Sequence, residues 1–480
     1  MKRSGGVLMH ISSLWGEYSC GSFGKEAKEF VDFLENCGFS WWQVLPFCMA
    51  DECNSPYKSY SAFGGNLYFV DLEELNKKGF VTDDELLSAR QNTPYSCEYE
   101  RLGAERFNLL FKASKRAVFT DEKQKVKDFI ASHQHISDFC RFMVLKSVNN
   151  NEPWNNWTKD DIDEELLFAW EFIQYEFFTQ WKEIKAYANS RGIKILGDIP
   201  IYVSYDSADV WANRDIFQLD DNCRMKNVAG VPPDYFCAEG QLWGNPLYDW
   251  DKMSKDGYNW WTDRINAMLE LFDGIRIDHF RAIESYWSVD ANSGTAKNGK
   301  WIKGPGMDFV NKINELKGDK LIVAEDLGDI TPEVCELVKK SGFPGMRVMQ
   351  FGFQDDSDST HLPHNYQNNN VAYTGTHDNN TLLGYVWEIS DENRRRLLEY
   401  CGYFGEDWNG GYDNIIRTMY SSAAGMVILP IQDILCYGSD TRMNVPGRAE
   451  GNWMYRVTKE QLNNIDVKKY RKLNELYKRL

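Results

Sequence analysis

Three short apolar segments of this 480-residue chain are each followed by acidic residues, and this pattern restricts the folds open to the chain. The acids after these segments are, in chain order, Asp278, Glu325 with Asp326, and Asp378 beside His377. The intervals are roughly fifty residues, about one or two β/α units. In a (β/α)8 barrel the C-terminal ends of several strands supply the catalytic groups. The sequence therefore predicts buried strands whose ends bring these acids together.

Within FDGIRIDHFR, the first of these segments, Arg276 lies two residues before Asp278. Residues two apart on a strand point to the same side, so the guanidinium and the carboxylate should be neighbours. A nearby cation favours the charged form of a carboxylate. An ionised Asp at a strand end can act as a nucleophile when a second carboxyl group supplies protons. Considered alone, the pair is equally compatible with a structural ion pair.

Eight apolar strand candidates occur along the chain, with helical patterns between most of them. They lie at residues 6–11, 41–47, 193–203, 272–277, 321–324, 346–351, 371–374 and 426–434. This order predicts a single (β/α)8 barrel over residues 1–480 with inserted subdomains on its C-terminal face. A mostly helical insertion is predicted at about 72–190, between the second and third strands. A loop-rich insertion is predicted at about 205–263, between the third and fourth strands, where long loops build a substrate cleft.

The composition excludes several classes of function. The net charge of −17 argues against binding to nucleic acids or anionic membranes, because both require a basic surface. The sequence contains no apolar run of transmembrane length. The 11 cysteines are scattered and include no CxxC pair, which predicts reduced thiols in a cytoplasmic protein rather than a disulfide framework or a zinc site. The composition does not indicate an oligomeric state.

Loops carry polar and aromatic candidates for substrate contacts. The loop NSPYKSYSAFGGN presents the hydroxyls of Ser55 and Tyr57, although a turn explains Ser55 alone better. The segment VPPDYFCAEGQLWGNPLYDW carries Gln241 and Trp243 and has neither helical nor alternating periodicity, so it is compatible with a mobile flap or a packed Ω loop. Asp198, in the third strand segment, is expected to shape the cleft floor or to bind loop amides.

Two histidines lie beside acids that follow strands. His377 precedes Asp378, and His279 follows Asp278. The sequence has no GxSxG elbow and no HExxH motif, which disfavours a serine triad or a zinc site. His377 fits better as a donor to a sugar hydroxyl. For His279 the alternative is a buried structural histidine.

Among the carboxylates, Glu325 requires a raised pKa to act as an acid. Repulsion by Asp278 and Asp378 would raise it. Successive residues of a strand point to opposite faces, so only one of Glu325 and Asp326 should face the cleft. This alternation often fails at strand ends, and the sequence therefore leaves both residues open.

The chain resembles the 4-α-glucanotransferases, also called amylomaltases or disproportionating enzymes, which form glycoside hydrolase family 77 of the α-amylase superfamily. The similarity covers nearly the whole chain, and AEDLG and RMNVPG…GNW are specific to this family. The matching segments are WWQVLP, SPYKSYSAFGGN, GDIPIYV, GQLWGNPLYDW, FDGIRIDHFR, VAEDLG, MRVMQFGF, HLPHNY, TGTHDNNT and RMNVPGRAEGNWMYR.

The resemblance implies a (β/α)8 barrel with inserted subdomains and no C-terminal β-domain, and it implies a role for each matching residue. Asp278 would be the nucleophile, Glu325 the general acid/base, and Asp378 the carboxylate that stabilises the distorted sugar. The residues that match family positions lining the substrate site are Arg276, His377, His279, Asp198, Tyr57 and Ser55. Positions in neighbouring subsites or the flap fall on Gln241, Trp243, Asp355 and Asn444.

The resulting prediction is transfer of α-1,4-glucan segments between maltooligosaccharides by a retaining mechanism, without a metal or organic cofactor. Retaining enzymes hold their two carboxyl groups about 5–5.5 Å apart. A plain α-glucan hydrolase uses the same acids and differs in the acceptor that resolves the intermediate. A catalytically silent glucan-binding protein and a metal-dependent barrel enzyme are further alternatives.

Overall fold

The structure is a computed structural model that describes residues 1–233, 239–354, 358–405, 407–448 and 450–480. The strands are β1 (Ser4–Leu8), β2 (Trp41–Gln43), β3 (Lys194–Ile199), β4 (Asn227–Val231), β5 (Gln241–Pro246), β6 (Gly274–Ile277), β7 (Ser285–Asp290), β8 (Lys300–Lys303), β9 (Leu321–Ala324), β10 (Gly345–Val348), β11 (Asn370–Tyr373) and β12 (Met426–Pro430).

The helices lie mainly between these strands and after the last of them. They are α1 (Lys25–Cys37), α2 (Leu72–Lys77), α3 (Asp83–Ser88), α4 (Tyr99–Ala117), α5 (Glu122–Ala131), α6 (Gln134–Val148), α7 (Glu164–Ser190), α8 (Ala208–Ala212), α9 (Trp250–Lys255), α10 (Asn259–Leu271), α11 (Gly306–Lys317), α12 (Pro332–Ser341), α13 (Leu382–Glu388), α14 (Asp391–Tyr400), α15 (Tyr412–Ser421), α16 (Ile431–Leu435), α17 (Lys459–Asn463) and α18 (Val467–Leu476).

Eight parallel strands close into a barrel in the order β1-β12-β11-β10-β9-β6-β3-β2. The ring closes where β1 pairs with β12, from Ser4 opposite Met426 to Leu8 opposite Pro430. Every residue of β1 and β12 is buried, because the strands of a parallel barrel are covered on both faces. The predicted (β/α)8 barrel is confirmed.

Several strands are shorter than the apolar segments that predicted them. The segment 426–434 contains β12, which ends at Pro430, and then α16. Ile431 and Ile434 of that helix are buried, so the apolar run continues without a break. A short apolar run cannot by itself separate a buried strand from a buried helix.

The segment between β2 and β3 contains helices α2 to α7. The longest, α7, begins after Asp163, whose carboxylate caps the backbone N–H groups of Glu165 and Leu166. The ring of Trp181, on the buried face of α7, meets the ring of Phe47 edge-on at a centroid distance of 4.6 Å. This aromatic contact joins the helical insertion to the barrel beside β2.

A second, antiparallel sheet has the strand order β5-β4-β7-β8. Its strands β4 and β5 lie in the segment 205–263, for which the sequence predicted mainly loops. Gly230 interrupts the first strand, and the second contains Gly244 and Pro246, so neither has the alternation that identifies a strand. The sheet carries Gln241 and Trp243 to the C-terminal side of the barrel.

Three further findings concern the described ranges alone. Within them, no helix is both long and apolar enough to cross a membrane. Their ten cysteines are free thiols. Their segment after β12 contains α16, α17 and α18 and no further strand.

Candidate active site

The first two predicted acids directly follow adjacent barrel strands. Asp278 comes after β6 and Glu325 after β9, and these strands pair with Ile277 opposite Ala324. The backbone ladder continues one residue further, because the N–H of Asp278 donates to Ile199 O (2.9 Å) and that of Glu325 to Ile277 O (3.1 Å). Both acids therefore lie at the C-terminal edge of the barrel, on neighbouring strands.

A buried arginine binds two of the acids at this edge. Arg276 Nη1 donates to both carboxylate oxygens of Asp198, at 2.9 and 2.7 Å, and Nη2 lies 2.8 Å from Asp278 Oδ1. Burial alone would lower the pKa of Arg276, but the charges of Asp198 and Asp278 raise it well above its ordinary value. Tyr57 donates its hydroxyl to Asp198 Oδ2 (2.8 Å). Arg276 thus remains a cation that fixes the orientation of the Asp278 carboxylate.

Glu325 is held by two backbone N–H groups. Its Oε2 accepts from His279 N (2.6 Å) and its Oε1 from Leu327 N (2.8 Å). Burial raises the pKa of Glu325 to about 7, because it outweighs Arg276 and the two backbone donors, which lower the pKa; the charge of Asp278 adds to the rise. The sequence analysis expected repulsion by Asp278 and Asp378 to raise the pKa of Glu325, whereas burial is the larger cause.

Asp326, the residue after Glu325, binds the neighbouring strand instead of facing the cleft. Asp326 accepts from Met346 N (2.6 Å) and from Arg347 Nη1 (3.0 Å), both on β10. Glu325 and Asp326 therefore point in different directions, and Glu325 is the one whose carboxylate lies beside His279 and Asp278.

His279 connects the nucleophile candidate to the acid candidate. Its backbone adopts the left-handed conformation (φ 49°), which turns its N–H toward the Glu325 carboxylate. Burial lowers the pKa of its ring to about 4, so the ring is neutral. The ring of Trp243 meets that of His279 edge-on at 4.8 Å. The second sheet therefore covers the site at this point.

The third acid, Asp378, lies in the loop that follows β11. His377 Nε2 lies 3.3 Å from Asp378 Oδ2, and Asn444 Nδ2 donates to Oδ1 (2.6 Å). Partial shielding of the carboxyl group from water would raise the pKa of Asp378, but His377 and Asn444 hold it below its ordinary value. Its side chain is 48% exposed, which leaves the ionised carboxylate accessible from the cleft.

His377 is positioned by stacking as well as by charge. Its ring stacks on that of Tyr57 with a centroid distance of 4.9 Å and an interplanar angle of 17°. Burial lowers the pKa of His377, but the adjacent Asp378 raises it above the ordinary value. The hydroxyl of Tyr57 lies 2.8 Å from Asp198 Oδ2 and 3.5 Å from His377 Nδ1, so His377 and Asp378 lie on the same side of the site as Asp198.

The remaining predicted residues are Ser55, Gln241, Trp243 and Asp355, and they differ in where they lie relative to the acids. Ser55 accepts a hydrogen bond from Tyr57 N (3.3 Å), so its hydroxyl supports the turn that carries Tyr57. Gln241 Oε1 accepts from Trp243 Nε1 (3.2 Å), and Trp243 is 37% exposed. Asp355 lies outside the described residues.

Sequence reasoning missed two residues at the site. Arg442 Nη2 donates to the backbone oxygen of Asp378 (2.6 Å). The buried ring of Trp453 lies 6.0 Å from that of Tyr57 and 5.9 Å from that of His377. Both lie in the segment RMNVPGRAEGNWMYR, so its match to the family was the available signal.

The described residues contain no group of three or more His, Cys, Asp or Glu arranged to hold a metal ion. The site instead consists of three acids with different environments. Asp278 is paired with an arginine, Glu325 is buried with a raised pKa, and Asp378 is ionised and accessible. Two carboxyl groups in contrasting environments on neighbouring strands are suited to retaining glycoside chemistry.

Known proteins resemble the chain over its whole length. The sequence profile of the family described as 4-alpha-glucanotransferase matches residues 9–462. The 4-alpha-glucanotransferase of Clostridium butyricum is 43% identical over 98% of this chain and 100% of its own, and that of Streptococcus pneumoniae is 40% identical over 100% and 98%. A solved structure, the amylomaltase of Streptococcus agalactiae in complex with acarbose, superposes with a TM-score of 0.95 at 36% identity and covers 100% of both chains. Barrel, strand-end acids and full-length similarity thus agree, and the chain belongs to the 4-alpha-glucanotransferase family, whose activity is the transfer of α-1,4-glucan segments.

Proposed function

We propose that Asp278, Glu325 and Asp378 carry out this transfer by a retaining double displacement. The observation that carries the proposal is the contrast between two neighbouring carboxyl groups. Asp278 is paired with the Arg276 cation, whereas burial raises the pKa of Glu325 to about 7. One group is thereby suited to attack and the other to donate a proton at neutral pH.

In the first step, Glu325 protonates the glycosidic oxygen while Asp278 attacks the anomeric carbon. The bond from that carbon to the leaving glucan breaks, the leaving glucan departs with the proton, and a covalent glycosyl ester forms on Asp278. The ion pair with Arg276 uses Oδ1 of Asp278, so we assign the attack to Oδ2. As negative charge leaves Asp278, the carboxylate of Asp198 still neutralises Arg276.

In the second step, the ionised Glu325 takes the proton from the 4-hydroxyl of an incoming glucan. That oxygen attacks the anomeric carbon and displaces Asp278, which restores the α configuration and the free enzyme. Every proton and bond in this cycle comes from Asp278, Glu325 and the two glucans, so the cycle balances without a cofactor.

Asp378 and His377 act on the sugar that is attacked. The ionised, accessible carboxylate of Asp378 accepts hydrogen bonds from ring hydroxyls, and His377 donates to a hydroxyl beside it. Such bonds catalyse only if they are stronger to the flattened, positively charged sugar of the transition state than to the relaxed sugar. Tyr57, stacked on His377, borders the same sugar.

The substrates we propose are maltooligosaccharides and longer α-1,4-glucans. The acarbose complex of the Streptococcus agalactiae amylomaltase supports an α-glucan ligand for this site. Trp243 and Gln241, on the strand that covers His279, would contact the acceptor and limit the access of water. The reduced thiols support a cytoplasmic location.

Incubation with maltotriose is expected to yield glucose together with maltooligosaccharides longer than the starting trisaccharide. The reason is that a second maltotriose resolves the intermediate more often than water does. Chromatography of the products over time measures the distribution. If all products are shorter than maltotriose, the enzyme is a hydrolase and the role proposed for the acceptor is wrong.

The pH dependence should report the proton on Glu325. The first step requires its protonated form, so kcat/KM for maltotriose is expected to decline tenfold per pH unit above about pH 7. Because the pKa of Glu325 is raised, activity falls as the pH rises through it. A profile that stays flat to pH 9, measured with initial rates and a stability control at each pH, would remove Glu325 as the acid.

A further inference from the structure

One fully buried carboxylate binds both ends of the loop that carries His377 and Asp378. Asp433 is 0% exposed and lies in α16, which follows the last barrel strand. Its Oδ2 accepts from Thr374 Oγ1 (2.6 Å), and its Oδ1 accepts from Leu382 N (2.7 Å). Thr374 directly follows β11, and Leu382 is the first residue of α13.

The loop between these two anchors is short and internally bonded. Asn379 Oδ1 accepts from the backbone N and the hydroxyl of Thr376, both at 2.9 Å. The hydroxyl of Thr376 in turn accepts from Asp378 N (3.3 Å). The position of the loop over the barrel then depends on its two ends, together with the bonds from Arg442 Nη2 to Asp378 O (2.6 Å) and from Gln350 Nε2 to Asn380 O (2.8 Å).

The chemistry of Asp433 suits it for this purpose. A carboxylate accepts stronger hydrogen bonds than a neutral oxygen, and its two oxygens bind two donors at once. Burial raises the pKa of Asp433 to about 6, while the bonds from Thr374 and Leu382 lower it, so the group is ionised at neutral pH. A charge buried to this extent is costly, and the donors on both sides of the loop offset the cost.

We infer that Asp433 is a positioning residue that sets the place of His377 and Asp378 relative to the other two acids. It does not touch the substrate and acts through the loop that it holds. The inference deepens the proposed function and rests on it, because it assumes that Asp378 binds the reacting sugar. A shift of about 1 Å at such a group can cost on the order of 100-fold in rate.

The test compares Asp433→Asn with a matched control, Asp71→Asn. Asp71 is also buried and also binds one hydroxyl and one backbone N–H, Ser22 Oγ at 2.7 Å and Glu74 N at 2.9 Å. It caps α2 in the helical insertion. In either variant the amide oxygen can still accept from the backbone N–H, while its NH2 group faces the hydroxyl, which must rotate to become the acceptor. Both variants thus exchange hydrogen bonds to a carboxylate for weaker neutral ones, and they should lose comparable stability.

Steady-state kinetics with maltotriose separate the two roles. For Asp433→Asn we expect kcat to fall about 10- to 100-fold with KM within about twofold, because Asp378 acts mainly in the transition state. For Asp71→Asn we expect a similar fall in the melting temperature with unchanged kcat. Thr374→Ser, which keeps the hydroxyl, should retain activity, and Thr374→Val should behave like Asp433→Asn.

Non-additivity provides a readout that is independent of global stability. Because Thr374→Val removes the hydrogen bond that Asp433→Asn weakens, the double variant should lose less kcat than the product of the single losses. Unchanged kcat in folded Asp433→Asn, or an equal loss in Asp71→Asn, would overturn the inference. If instead Asp378→Asn remained active, the proposed role of Asp378 would fail, so the two failures are distinguishable.

Discussion

Asp278→Asn is expected to lower the transfer rate by at least about 10⁴-fold while maltooligosaccharide binding stays within a few-fold of the unaltered protein. The substitution removes the nucleophilic oxygen and hence the covalent ester. It keeps the shape of the side chain and one acceptor for Arg276. Initial rates with maltotriose and calorimetric titration with a slowly cleaved oligosaccharide measure the two quantities.

A matched control lies at the other end of the same strand. Asp273 directly precedes β6, as Asp278 directly follows it, and its carboxylate binds Asn189 Nδ2 (2.8 Å) and Ile195 N (2.9 Å) at the N-terminal edge of the barrel. Asp273→Asn should therefore affect stability and leave kcat near its original value. Substantial turnover by Asp278→Asn, or equal losses in both variants, would contradict the assignment of the nucleophile.

Glu325→Gln is expected to lower kcat with maltotriose by about 10²- to 10⁴-fold, the range of general acid–base catalysis. The amide can neither protonate the glycosidic oxygen nor take a proton from the acceptor. With a maltosyl fluoride donor, whose leaving group needs little protonation, the first step should be largely restored and the ester on Asp278 should accumulate. Mass spectrometry of the quenched protein detects that ester as a mass increase of one maltosyl unit.

The adjacent acid provides the control for this experiment. Asp326 binds β10 and Arg347, so Asp326→Asn should not trap an ester with the fluoride donor. Absence of the ester in Glu325→Gln would argue against Glu325 as the base of the second step.

The barrel and its two strand-end acids could be predicted because their signals are local. Apolar segments identify the strands, and the residue that follows each strand must lie at the edge where parallel strands end. Asp278 and Glu325 are such residues, and the pairing of β6 with β9 places them side by side. Arg276 was predictable for the same reason, since strand parity alone directs it toward Asp278.

Contacts between remote segments could not be predicted in this way. Asn444 reaches Asp378 from 66 residues away, and Asp433 reaches Thr374 from 59 residues away, with no local pattern to indicate either bond. The cause of the raised pKa of Glu325 was misjudged for a related reason. Sequence reveals nearby charges, but burial depends on how the whole chain packs.

The closure of the barrel has a consequence for synthesis of the chain. Ser4 pairs with Met426, so β1 keeps one edge without its partner until nearly the whole chain has left the ribosome. Helix α18 then binds the end of α1 outside the barrel and so stabilises the closed ring. Arg471 Nε donates to Asn36 O (2.9 Å) and Asn474 Nδ2 donates to Cys37 O (3.0 Å). The nascent protein therefore has an open strand edge for most of its translation, and the barrel closes only when one of the last segments to be synthesised reaches β1.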